Sequence, residues 1–145
     1  ERKIPDDPTI YINITSKMKA DDSPENCENL FVMVNAPYDN SHNWNDVITK
    51  TKKIIIKKIN DTLNLDLESL IVFEEILDPV KIEKKTGSYL GSLYGSASNN
   101  MTSAFFRHPN FSNDIKDLYF CGGSVHPGGG IPLALNSAKI IDSLI

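Results

Sequence analysis

Cysteine, tryptophan and histidine are scarce in this chain of 145 residues, which has two, one and three of them. The two cysteines, Cys27 and Cys121, are far apart, and neither belongs to a CxxC pair or has a histidine at metal-ligand spacing. This pattern predicts no metal site and requires no disulfide. No run approaches the roughly 18 apolar residues that span a bilayer, and the first residues do not resemble a secretory signal. Together these absences favour a reducing cytoplasm.

Charge and familiar motifs are also limited. Fifteen basic and nineteen acidic side chains give a net charge of −4, and the basic residues are dispersed apart from the run KTKKIIIKK, so nucleic-acid binding has little support. The chain lacks the GxGxxG and GxxxxGK[ST] spacings, and it has no serine nucleophile elbow. It begins without methionine and runs straight into an alternating apolar pattern, from which we expect a fragment of a larger protein.

The hydrophobic periodicity predicts an α/β fold of α+β character, in which helices pack on a mixed sheet. TIYINITS alternates like a strand with one buried face, and LFVMVNAP reads as its antiparallel neighbour, buried on both faces. Apolar residues at helical intervals predict a long amphipathic helix from Trp44, with Asn43 or Asn45 available as its cap. The remaining predicted elements are a strand over SLIVFEEIL, a short helix from Pro79 to Lys85, an irregular loop around Gly87, Gly91 and Gly95, a strand over DLYFCGG, and a final helix with Pro132 in its first turn.

The most informative stretch places five glycines between Gly122 and Gly130, directly before the final helix. A helix N-terminus carries unpaired N–H groups and a partial positive charge, and glycines in front of it let a phosphate or a flat ring approach the backbone. The alternative is a structural glycine-rich turn. His126 within the loop is a general base, a hydrogen-bond donor to a cofactor, or a residue that caps the backbone. Arg107 pairs with an anionic cofactor group or forms an ordinary surface ion pair.

The run GSLYGSASNNMTSAFFRHPNFSNDIKDLYFCGGSVHPGGGIPLALNSAKIIDSLI closely resembles the C-terminal end of bacterial phytoene desaturases, the carotenoid desaturases of the flavin amine oxidase superfamily. SVHPGGGIPL with the following SAK is the most specific part, and the resemblance covers the whole chain. The Asp-Pro helix start at Asp78, where the family usually has Thr-Pro, agrees with the resemblance. The departure is that the N-terminal segment that holds the ADP half of FAD is missing.

The resemblance implies a C-terminal fragment of a two-domain FAD-dependent oxidoreductase that introduces conjugated double bonds into a long isoprenoid hydrocarbon. Residues 1–116 would be part of the substrate-binding region, and 117–145 would form a strand, loop and helix that return to the FAD-binding domain. Arg107 and His126 are the candidates for catalytic roles. The cofactor contacts would be Gly122, Gly123, His126, Pro127, Gly129, Gly130, Ile131 and Pro132.

The implied partners are a carotenoid precursor, the missing FAD-binding segment of the same protein and the surface of the cytoplasmic membrane, which the protein would contact without spanning. Two alternatives stay open. Carotenoid isomerases and retinol saturases share this ending and perform another flavin-dependent reaction. A non-catalytic structural or partner-binding domain would also explain the absence of a dinucleotide motif.

Overall fold

A computed structural model describes residues 3–38, 43–94 and 107–145 of the chain. The chain divides into two compact units, Glu1–Val80 and Lys81–Ile145. The predicted division of roles between 1–116 and 117–145 follows a different boundary and stays a prediction. Gly95 and the aromatic pair before Arg107 lie outside the described residues.

The first unit contains a two-stranded antiparallel sheet, as the alternating pattern predicts. Strand β1 (Ile10–Asn13) pairs with β2 (Phe31–Val34), with Tyr11 opposite Met33. The prediction that β2 is buried on both faces is wrong. Successive side chains point to opposite faces of a sheet, and the face that carries Tyr11, Phe31 and Met33 is exposed, with 49–59% of each residue accessible. We call these three residues the exposed sheet face.

Helix α1 (Trp44–Leu63) confirms the predicted amphipathic helix, with Trp44, Thr51 and Ile59 buried. Asn43 occupies the N-cap position, but its side-chain amide donates to Asp46 Oδ2 at 2.6 Å instead of capping the helix. No helix in the described ranges is long and apolar enough to cross a bilayer.

The strand predicted over SLIVFEEIL is wrong. Leu67–Leu70 forms one helical turn, α2, and the chain continues without regular structure to Asp78. Val72 and Phe73 are 91% and 84% exposed there. A short apolar run does not fix strand or helix by its periodicity, and a strand also needs a partner backbone. Within the described residues the sheet has only two antiparallel strands, so the α/β character is confirmed and the predicted mixed sheet is not found.

Helix α3 (Pro79–Thr86) confirms the helix that begins at the Asp-Pro pair. In the second unit a short 3₁₀ turn, Tyr89–Gly91, lies in the predicted irregular loop. Helix α4 (Ile131–Asp142) confirms the predicted final helix, with its proline in the first turn.

The strand predicted over DLYFCGG is reduced to a single antiparallel bridge between Phe111 and Tyr119. Asp117 has a φ of 61° and Gly122 a φ of 119°. Both values lie outside the extended region that a strand requires. The chain therefore leaves the ladder on either side of the bridge, and the glycine loop follows directly.

Candidate functional site

The glycine loop, residues 122–130, lies between the Phe111–Tyr119 bridge and α4. Gly122, Gly128 and Gly130 have φ angles of 119°, 134° and 104°. Residues with a side chain rarely adopt these values, because Cβ collides with the backbone. These three glycines are therefore required by the path of the chain itself.

Gly123 and Gly129 have a different physical reason, which is close approach. A Cβ built on Gly129 would lie 2.5 Å from Tyr94 Cδ1, and one built on Gly123 would lie 3.3 Å from the Gly129 Cα. The tyrosine ring thus packs directly on the glycine backbone. The sequence indicated that these glycines admit a flat ring to the backbone, and in the structure such a ring comes from the protein itself.

The N-terminus of α4 is open. Gly130 is its N-cap, no side chain among the described residues caps it, and Ile131 at the first helical position is 79% exposed. A Cβ on Gly122 or Gly130 would meet nothing within 4 Å. A group with negative or acceptor character can therefore reach the positive end of the helix and the glycine backbone beside it.

Arg107 hydrogen-bonds to the glycine loop and to the residue that packs on it. Its Nη1 donates to Tyr94 O at 3.0 Å and to Gly123 O at 3.4 Å. A Cβ on Gly128 would lie only 3.0 Å from Arg107 Nε. The guanidinium group thus uses backbone carbonyls as acceptors, a role that neither sequence interpretation of this arginine had named.

The His126 side chain is exposed and makes no hydrogen bond to the residues that the structure describes. Its backbone is held on both sides, because its N–H donates to His108 O and its carbonyl accepts from Asn110 Nδ2, each at 2.9 Å. The next residue, Pro127, follows a cis peptide bond. The histidine lines a shallow, largely apolar groove of about 320 Å³ together with Arg107, Pro109, Asn110, Phe111, Ile140 and Leu144.

Two buried polar residues of this region, Asn110 and Ser137, were missed by the sequence analysis. They are 3% and 0% exposed, and Asn110 Nδ2 lies 2.7 Å from Ser137 Oγ. One signal for Ser137 was present, since it falls on the same helical face as Leu133 and Ile140. A polar residue on an apolar stripe calls for a buried partner. Asn110 lies 27 residues away, and no local pattern connects it with Ser137.

Comparison with known proteins finds homologues among the carotenoid desaturases. The chain is 58% identical over 140 residues, 97% of its length, to a 1-hydroxycarotenoid 3,4-desaturase of a Flavobacterium species. The chain is homologous to the carotenoid desaturases. It is also 34% identical over 143 residues to a 4,4'-diapophytoene desaturase of Staphylococcus haemolyticus, and 35% identical over 147 residues to a 4,4'-diaponeurosporene oxygenase of Staphylococcus aureus. These alignments cover 95% and 99% of the chain. The resemblance of the chain to carotenoid desaturases is therefore confirmed.

The chain spans 29%, 28% and 29% of the length of these three carotenoid enzymes. No family model matches the chain. In the described ranges, no cluster of three histidine, cysteine or acidic residues could hold a metal ion.

Proposed function

We propose that this chain is the C-terminal part of an FAD-dependent desaturase that acts on a hydroxylated carotenoid and introduces a double bond near the hydroxylated end. The observation that carries the proposal is the 58% identity, over 97% of the chain, to a 1-hydroxycarotenoid 3,4-desaturase. The more distant desaturase and oxygenase relatives act on other carotenoids by name. These relatives support a carotenoid as the substrate, but they do not indicate which carotenoid it is.

The open end of α4 supports the proposed cofactor. FAD has anionic phosphates and a ring edge rich in acceptors, and the uncapped helix N-terminus beside Gly122 and Gly130 fits such groups. We assign contacts with FAD to the backbone of Gly122, Gly130 and Ile131 and to the ring of Pro132, which has no N–H to donate. Gly123, His126, Pro127 and Gly129 would shape the surrounding loop. When bound, FAD supplies the capacity to accept the two hydrogens that the carotenoid loses.

Within this site, the protein's own residues orient the groups and exclude water. Arg107 holds the carbonyl of Gly123 and packs on Gly128, so we assign it to the shape of the loop. His126 lines the apolar groove, which we assign to the hydrocarbon chain of the substrate. Because a hydrocarbon has no group that forms hydrogen bonds, selection among substrates in such a groove rests on shape. We assign residues 1–116 to the substrate-binding region and residues 117–145 to the FAD-binding domain. The remaining cofactor contacts would come from the FAD-binding segment outside this chain.

The test is product analysis with the full-length protein, FAD and a 1-hydroxycarotenoid. The proposal predicts a product that has lost two hydrogens and absorbs at longer wavelength, because its conjugated system is longer. A product that gains oxygen would favour the oxygenase relatives. A product of unchanged mass would indicate an isomerase, one with two added hydrogens would indicate a saturase, and unchanged substrate would favour a non-catalytic domain. Membrane attachment, without a span, stays a prediction that vesicle flotation of the same protein tests.

A further inference from the structure

Asn110 hydrogen-bonds to both ends of the segment 120–126, which includes the first half of the glycine loop. Its side-chain Nδ2 donates to Phe120 O at 3.1 Å and to His126 O at 2.9 Å. The backbone repeats the same closure, since Phe120 N donates to Asn110 O at 2.8 Å and His126 N donates to His108 O at 2.9 Å. The seven residues from 120 to 126 therefore start and end on one short segment, 108–110.

Ser137 connects this closure to α4. Its Oγ lies 2.7 Å from Asn110 Nδ2 and accepts the Gly122 N–H at 3.2 Å. Ser137 is six residues after Ile131, roughly 9 Å along the helix at the usual rise. The helix whose N-terminus is open and the loop that faces it are thus joined through one buried pair, which we call the Asn110–Ser137 clasp.

The clasp depends on an amide in one orientation. A side-chain NH₂ group has two protons, and here three acceptors surround it within 3.1 Å. An oxygen in place of that nitrogen would face the carbonyls of Phe120 and His126 without a proton between them. Aspartate has the same shape but puts an acceptor there, so the partly buried carbonyls of Phe120 and His126 would each lose their donor and meet another acceptor.

We infer that Asn110 and Ser137 are positioning residues for the proposed cofactor site, an inference that rests on the proposed function. Neither residue needs to touch the cofactor. They fix the glycine backbone relative to the N-terminus of α4, and displacements of about 1 Å in such an arrangement are enough to weaken a site. Loss of the clasp should thus weaken FAD binding even while the protein remains folded.

The experiment compares Asn110→Asp and Ser137→Ala in the full-length protein with two matched controls. The control for Asn110→Asp is Asn113→Asp, which makes the same change at an exposed position three residues away. The control for Ser137→Ala is Ser143→Ala, at an exposed serine just after α4. The dissociation constant of FAD and the visible flavin spectrum are measured well below each variant's unfolding midpoint. We expect about a tenfold rise in the dissociation constant for Asn110→Asp and about a threefold rise for Ser137→Ala. Both variants should shift the flavin bands, and both controls should match the wild type.

The possible outcomes separate the two claims. If the variants unfold at lower temperature but bind FAD with wild-type affinity and wild-type bands, the clasp is merely structural and the inference is overturned. Should Asn110→Asp fail to fold, Ser137→Ala decides alone, since it keeps the amide and its two carbonyl partners. A wild-type protein that binds no FAD would overturn the proposed function and this inference together, and only that outcome affects both.

Discussion

The packing of Tyr94 on Gly129 predicts that any side chain at position 129 destabilises the protein. In Gly129→Ala the new Cβ would lie 2.5 Å from Cδ1, 2.7 Å from Cγ and 3.1 Å from Cβ of the tyrosine. Ordinary contact starts at 3.4 Å, so the atoms must separate by 3.4 − 2.5 = 0.9 Å. The clash includes the base of the side chain, which moves only with its backbone. We expect a loss of about 1–3 kcal/mol in the free energy of unfolding, as for other overpacked sites.

A double-mutant cycle tests this reasoning. Tyr94→Ala removes the ring atoms at 2.5 and 2.7 Å and keeps only the Cβ contact at 3.1 Å. Gly129→Ala should therefore cost much less in that background, and the interaction free energy should account for most of the loss seen in the single variant. The assay is thermal or urea unfolding of all four proteins, where 1 kcal/mol corresponds to about 2–4 °C in a domain of this size. Additive losses would refute the close-approach explanation. They would mean that the loss at Gly129 does not come from contact with the tyrosine ring.

Three further predictions concern the first unit. Ile59→Ala, at a position 4% exposed on α1, should cost about 2–5 kcal/mol in urea unfolding, whereas Leu63→Ala, 59% exposed, should cost no more than about 0.5 kcal/mol; equal losses would contradict the burial. Hydrogen bonds from Lys17 and Ser16 lower the pKa of Glu28, so its NMR titration should fall below the ordinary midpoint. The stabilisation that the Glu28 carboxylate provides is then present above its pKa in the unfolded state and lost as the pH falls through its pKa in the folded state. A normal or raised midpoint for Glu28 would contradict the lowered pKa. Phe31→Ser on the exposed sheet face should reduce self-association of the 145-residue chain in sedimentation velocity, and an unchanged distribution would show that this face is not responsible.

Helices were predicted more successfully than strands, because a helix satisfies its own backbone. The intervals from Trp44 to Ile59 identified α1, and the proline after the glycines identified the start of α4. The apolar run from Leu70 to Leu77 contains the residues of a strand, but its structure depends on a partner backbone that its own sequence does not encode. Nor does local sequence predict that β2 would have an exposed face, since that depends on what packs there.

The candidate site shows the same limit. The glycine loop and the helix after it were predicted from the sequence, because each element is local, and contact of the loop with a ligand stays a prediction. The contacts that shape the loop are not local. Tyr94 lies 35 residues before Gly129, and Asn110 lies 27 residues before Ser137. Such pairs follow from the folded path of the chain and become visible only in the structure.

The central claim, that the end of α4 receives FAD, is tested most directly by changing the charge at Ile131. This side chain is 79% exposed at the first helical position, and no acidic residue lies in that turn. Ile131→Asp should leave stability unchanged or raise it by about 0.3–1 kcal/mol, because a carboxylate favours a helix N-terminus. The same charge would repel an anionic cofactor. In a flavin titration of the full-length protein, we predict that Ile131→Asp binds FAD about tenfold more weakly than the neutral, isosteric Ile131→Asn. Equal affinity in the two variants would contradict the account.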